Sequence, residues 1–187
     1  MKILHVISSI NKGGAENHLY NLASKQSKEN NDVSIIYFKG DSYWASFLKK
    51  NNVRIYKYDL HSNFNLFQFL IIFFKIRTFI AKNKPHVVHA HLALPEIIVS
   101  IIKFFNKKNF KLIISKHLDS LIFEGSYGQD RFISGLFFEK FIFKQADKII
   151  FISKNVKNYF SSRIKNYNYK TSIIYYGINK VYFKNKI

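Results

Sequence analysis

The feature that most constrains this chain is a strict alternation of two hydrophobic periods. Seven short segments rich in branched and aromatic residues lie at 2–8, 32–38, 53–58, 87–90, 111–115, 148–152 and 171–175. Such runs suit strands buried on both faces. Six segments with helical spacing fall between them, at 15–28, 42–50, 64–82, 95–105, 131–145 and 154–163. Strand, helix, strand in unbroken order makes βαβ units and a parallel sheet. Right-handed crossovers then predict a doubly wound, mostly parallel α/β sheet of about seven strands, Rossmann-like, with helices on both faces. Ligands of such sheets bind beyond the C-terminal strand ends.

The first such exit is Ser8 followed by Asn11-Lys12-Gly13-Gly14-Ala15-Glu16. Leu19, Leu22 and Ala23 then share a helix face with Ala15. Strand, glycine turn and helix can aim backbone N–H groups at a phosphate. Glycine also serves any tight turn, so both readings stand at this point. The fourth exit reads His89-Ala90-His91-Leu92, with Pro95-Glu96 beyond it. His89 and His91 share a strand face. His91 sits where an imidazole can meet a sugar hydroxyl or a phosphate; a histidine satisfied in the core is the alternative. A His-x-His pair also suits metal, but no third ligand stands at a useful spacing, and no metal is expected. Lys116, His117 and Asp119 leave the fifth strand, Ser153 the sixth and Gly177 the seventh. Ser153 also reads as a helix N-cap.

With 187 residues and 48% hydrophobic content, the chain can bury a substantial core. The absence of cysteine excludes disulfides, thiolate nucleophiles and cysteine metal sites. Met1-Lys2 and a short run interrupted by His5 lack the layout of a signal peptide. The 30 Lys+Arg against 11 Asp+Glu give +19, which suits anionic partners. The lysines are scattered, and Lys, Asn, Ile, Phe and Tyr abound, as an A+T-rich gene would produce. An anionic membrane surface ranks above nucleic acid, for which no recognition module is present. In segment 64–82 the polar residues Asn65, Gln68, Lys75, Thr78 and Lys82 recur at roughly helical spacing and form one narrow stripe. Segment 131–145 is apolar nearly all round. Both call for a second surface: a membrane interface, another domain or a neighbouring chain. Neither is long enough to span a bilayer.

Four landmarks in order carry a family resemblance: Gly13-Gly14-Ala15-Glu16, then His89-Ala90-His91-Leu92 with Pro95-Glu96. The third is Ala146-Asp147-Lys148-Ile149-Ile150-Phe151-Ile152-Ser153, and the fourth Ile174-Tyr175-Tyr176-Gly177-Ile178-Asn179. Together they resemble the N-terminal, acceptor-side domain of retaining GT-B glycosyltransferases of family 4. Asn179 departs from the aspartate usual there.

The resemblance implies transfer of a sugar from a nucleotide-diphosphate sugar to a cell-envelope glycan or lipid-linked acceptor, with retention and without metal or other cofactor. It implies His91 as the catalytic-site histidine. Donor or acceptor contacts would come from Gly13, Gly14, Glu16, His117, Asp119, Ser153 and Gly177. Residues 1–178 would form this domain, and 179–187 the start of an interdomain linker. The family's Glu-x7-Glu donor signature finds no match among Glu16, Glu29, Glu96, Glu124 and Glu139. A separate donor-binding C-terminal domain is therefore expected as a partner. A cytoplasmic enzyme, peripheral on the inner membrane face, fits these features. A non-catalytic remnant, or a glycan- or membrane-binding module, is the alternative.

Overall fold

The structure, a computed structural model, describes residues 1–60, 65–106, 109–122 and 129–177, the side chains of 129–134 apart. Gly125, Ser126, Tyr127 and Gly128 of the long segment after the fifth strand, and the chain beyond Gly177, lie outside the described residues.

The elements follow the expected order. They are β1 (Lys2–Ser9), α1 (Gly14–Lys28), β2 (Asp32–Lys39), α2 (Ala45–Lys50), β3 (Arg54–Lys57), α3 (Leu66–Asn83) and β4 (Val87–His91). Then come α4 (Ala93–Phe105), β5 (Lys111–Lys116), α5 (Gln129–Gln145), β6 (Lys148–Phe151), α6 (Lys154–Arg163) and β7 (Thr171–Ile173). The strands form one sheet, ordered β3-β2-β1-β4-β5-β6-β7, with every pairing parallel. The order reverses between β1 and β4, which opens the crevice where such sheets bind ligands.

Strand alternation divides the interior. Leu4, Val6, Ile36, Val88, Ala90, Leu112 and Ile114 pack with Ile72, Ile76 and Ile80 of α3 and with Ile98 and Ile102 of α4. On the other face, Ile7, Ile35 and Tyr37 meet Leu19 and Ala23 of α1 and Leu48 of α2. Each fully buried isoleucine or leucine contributes about 1.5–3 kcal/mol by leaving water.

Helix ends carry readable local causes. Asn65 Oδ1 accepts from the Gln68 N–H at 3.0 Å and starts α3. Lys84, at φ 48°, ends it in the left-handed region. The α4 helix begins two residues before the expected start, so Pro95 is its third residue. Its missing N–H is still one that no helical carbonyl would accept from. The α2 helix starts at Ala45 because Ser42 takes φ 58°, with its hydroxyl 2.6 Å from that of Tyr37.

Candidate functional site

At the β1 exit, Gly13 caps α1 in extended conformation, with φ −146°. Its freedom of φ is therefore not what the turn uses. The absent Cβ matters instead: an added one would collide with the Glu16 carboxylate. Glu16 folds back over Gly13 and accepts from the Ser9 hydroxyl at 2.7 Å. The helix N-terminus thus faces the chain's own carboxylate, which the helix dipole favours. An incoming diphosphate here would have to displace Glu16. Gly14 opens the helix with free space where a Cβ would stand.

The β4 exit builds a connected polar cluster. Register aligns His5 of β1 with His89 of β4, and His91 with Ser115 of β5. Period two then turns His5, His89 and His91 to one face. All three are buried. His5 Nε2 lies 2.8 Å from Gln26 Oε1 of α1, and its Nδ1 lies 3.1 Å from His91 Nε2. His91 Nδ1 is 3.2 Å from His117 Nε2, and His117 Nδ1 pairs with the Tyr176 hydroxyl. His89 stands beside this row, its ring centroid 4.0 Å from that of His91 and its Nε2 2.7 Å from Ser115 Oγ. His18 stacks on Tyr176 at 4.1 Å and closes the outer end. Leu92, directly after His91, has φ 70° and ψ 162°. That region is nearly exclusive to glycine and costs about 1–3 kcal/mol, strain held next to the site.

Burial keeps these rings neutral. It pushes His5 down to about 4, against the Gln26 hydrogen bond, which favours charge. It pushes His117 down to about 3, helped by His18 and Lys116. His89 and His91 fall well below the ordinary histidine value, first by burial and then by the neighbouring imidazoles. The ligand atoms of His5, His89 and His91 all lie within 4.8 Å of one another. The third metal-ligand type that sequence spacing did not supply is thus brought in by β1. In this structure both nitrogens of His5 and of His91 already face Gln26, His117 or each other.

Lys116 does not offer its charge to the crevice. It is buried, with Nζ 2.5 Å from Glu96 Oε2 and 2.6 Å from Glu139 Oε2. One ammonium cannot balance two buried carboxylates. Burial, opposed by Lys116 and aided by Glu139, lifts Glu96 to about 7. Although burial opposes its charge, Glu96 and Glu139 hold Lys116 above the usual lysine range. A small cavity of about 70 Å³ lies beside this cluster, bordered by His117, Leu92 and Leu118.

The remaining sequence candidates spread around the same edge. Asp119 is exposed just past His117. Ser153 caps α6, its Oγ accepting from the Val156 N–H at 3.2 Å. Gly177 is exposed, with open space where a Cβ would stand. The cluster therefore joins His91 and His117 directly. Gly13, Gly14 and Glu16 sit at the neighbouring strand exit, while Ser153 and Gly177 follow β6 and β7.

The family model for Glycosyltransferase Family 4 matches residues 12–181. The chain belongs to glycosyltransferase family 4. An uncharacterized glycosyltransferase, MJ1178 of Methanocaldococcus jannaschii, is 31% identical over 170 residues, covering 90% of this chain and 44% of the relative. A Rickettsia africae glycosyltransferase aligns over 98% of this chain and 45% of its own, with TM-score 0.71 and 21% identity. Anabaena Alr3699/HepE, solved with UDP, aligns over 96% and 45%, with TM-score 0.70 and 17% identity. The family 4 chain thus spans about half the length of these relatives.

Within this family 4 domain, sequence reasoning missed His5, His18, Gln26 and Tyr176. His5 had a signal: a histidine in an otherwise apolar strand must find partners if buried. Tyr176 stood inside a quoted landmark. Gln26 and His18 had none, because only the docking of α1 shows which helix residues reach the sheet's histidines. The Asp147 landmark has a structural role: Oδ2 accepts from the Leu112 N–H at 2.8 Å and lies 3.0 Å from Lys103 Nζ.

Proposed function

We propose that this chain is the acceptor-side half of a retaining sugar transferase, and that it acts with a second Rossmann-like half that binds the nucleotide-diphosphate sugar. The observation that carries this reading is the joining of His91 and His117 at the sheet's switch point, in a family 4 fold. His91 serves at the reacting end, where its neutral ring pairs with a hydroxyl of the transferred sugar or acceptor. His117 and Asp119 border the acceptor, and the β1 turn with Gly13, Gly14 and Glu16 forms the adjoining wall. Ser153 and Gly177 hold the outer edge. The reaction uses preorganised donors to meet charge on the departing diphosphate, most of them from the second half. It uses no metal.

The test compares transfer from UDP-sugars by the 187-residue chain with transfer by a polypeptide or mixture that includes the second half. The chain alone gives no turnover and binds nucleotide sugar weakly. The completed enzyme turns over, is unaffected by EDTA, and loses about 10–100-fold in kcat/KM on His91→Ala, the effect of one unmade buried polar contact. Robust transfer by the chain alone, or full activity of His91→Ala, would remove this reading and leave a binding module.

One further observation supports an acceptor at an anionic membrane. The α3 helix buries only Ile72, Ile76 and Ile80, and leaves Phe67 and Phe74 70% and 53% exposed. These line an open groove of about 710 Å³ beside Lys75 and Lys82. No helix among the described residues is long and apolar enough to cross a membrane. Apolar side chains flanked by lysines suit a bilayer interface instead. The chain should float with phosphatidylglycerol vesicles, but not with phosphatidylcholine alone, and should detach as salt screens the attraction. Unchanged flotation of Phe67→Glu/Phe74→Glu would exclude α3 as the contact.

A further inference from the structure

We infer that Gln26 and His5 are positioning residues that fix the tautomer of His91, through a one-way hydrogen-bond chain running from α1 to the mouth of the crevice. The polarity follows atom by atom. Gln26 Oε1 can only accept, so His5 Nε2 carries the hydrogen across 2.8 Å. A neutral His5 then has a bare Nδ1, and His91 Nε2 must donate to it across 3.1 Å. That leaves His91 Nδ1 bare, and His117 Nε2 donates to it across 3.2 Å. His117 Nδ1 is bare in turn and accepts from the Tyr176 hydroxyl.

Each ring thus holds its hydrogen on Nε2, and none is left with two donors or two lone pairs in opposition. Any other arrangement with one ring flipped sets a lone pair against a lone pair, or a hydrogen against a hydrogen, inside a buried cluster. An unmade buried hydrogen bond is costly, so the row switches as a unit or not at all. His89 is outside the row, its Nε2 paired with Ser115 Oγ. Gln26 is only half-buried and stands at the far end of the row from the crevice.

The consequence at the reacting end is specific. The place now held by His117 Nε2–H faces a lone pair of His91. A group that replaces His117 there must bring a hydrogen, as a sugar hydroxyl does and an ionised phosphate oxygen does not. That consequence rests on the proposed transfer function; the tautomers do not.

The experiment is a long-range ¹H–¹⁵N correlation spectrum of the chain near neutral pH, in which protonated and bare ring nitrogens resonate far apart. Its seven histidines are assigned by single substitutions. His5, His91 and His117 should each show Nε2–H and a bare Nδ1. In Gln26→Leu, His91 should lose its single tautomer and populate both, while His89 keeps its own and so reports an intact fold. Gln26→Glu keeps an acceptor-only partner and should restore the single Nε2–H form. Nδ1–H on His91 in the unaltered chain would overturn the inference, as would an unchanged His91 in Gln26→Leu. A failed transfer assay alters none of these spectra, so the two readings fail separately.

Discussion

Acidification should expose the cost of burying neutral histidines, and His5 isolates it. Burial holds its folded value at about 4, against 6.5 for the free side chain. A lowered histidine value means that the unfolded chain binds the proton first. Stability from this residue is therefore complete well above the unfolded value and is lost as pH falls through the window from about 6.5 to about 4. Between pH 7 and pH 5 the unfolded His5 gains most of a proton and the folded one about a tenth. Integrated over that interval, the difference is about 2 kcal/mol. Other groups titrate in the same range. Glu96, lifted to about 7, takes its proton first in the folded state and works in the opposite sense. The comparison with His5→Gln cancels it, because glutamine keeps an acceptor for His91 but does not titrate. Urea unfolding at both pH values reads the result. The unaltered chain should lose about 2 kcal/mol more than His5→Gln, or about 4–8 °C in Tm for a chain this long. Parallel pH dependence in the two proteins would refute the buried neutral ring.

Two further substitutions test the site's construction. Lys116→Met leaves Glu96 and Glu139 facing each other without their ammonium, and should cost about 3–5 kcal/mol in urea unfolding, with the stability maximum moved to lower pH. A loss below about 1 kcal/mol would contradict the buried triad. Gly13→Ala drives a Cβ into the end of the flexible, half-buried Glu16 side chain, which can swing aside, and should cost less than about 1 kcal/mol. In a Glu16→Ala background that small cost should disappear, whereas a loss of about 2 kcal/mol or more in that background would deny that Glu16 is the obstacle.

Much of the fold was legible because periodicity reports burial, and burial here follows one simple topology. The seven strands and six helices sit where alternation put them, shifted only at their ends. Those shifts have causes that pattern does not carry, such as the left-handed Ser42 that delays α2. The site was legible by position and illegible by partnership. Strand-end logic picked out His91 and His117, which the structure brings within 3.2 Å of each other at adjacent strand exits. Strand-end position did not show that Lys116 is buried between Glu96 of α4 and Glu139 of α5, because neither carboxylate is near it in sequence. Gly13 was read for its backbone amides, whereas the structure uses it as room for Glu16. His5 was read as an interruption of a strand, whereas pairing of β1 with β4 makes it the inner neighbour of His91.

The same pairing explains why His91 has no exposed surface at the place where ligands of this fold bind. Its inner nitrogen is committed to β1, whose register with β4 is fixed along four residue pairs. Its outer nitrogen is committed to His117, which is held in turn by Tyr176, and Tyr176 leans on His18. These two sides differ in rigidity. The inner side cannot yield without breaking the sheet. The outer side ends on a residue beyond the last strand that is itself only half-buried. Releasing it breaks one hydrogen bond and one ring stack, about 1–3 kcal/mol together. That is comparable to what a single well-placed hydroxyl returns when it takes over the vacated nitrogen. On the proposed function, access to His91 is therefore set by Tyr176 and His117, and the sheet sets which atom of His91 a ligand would meet.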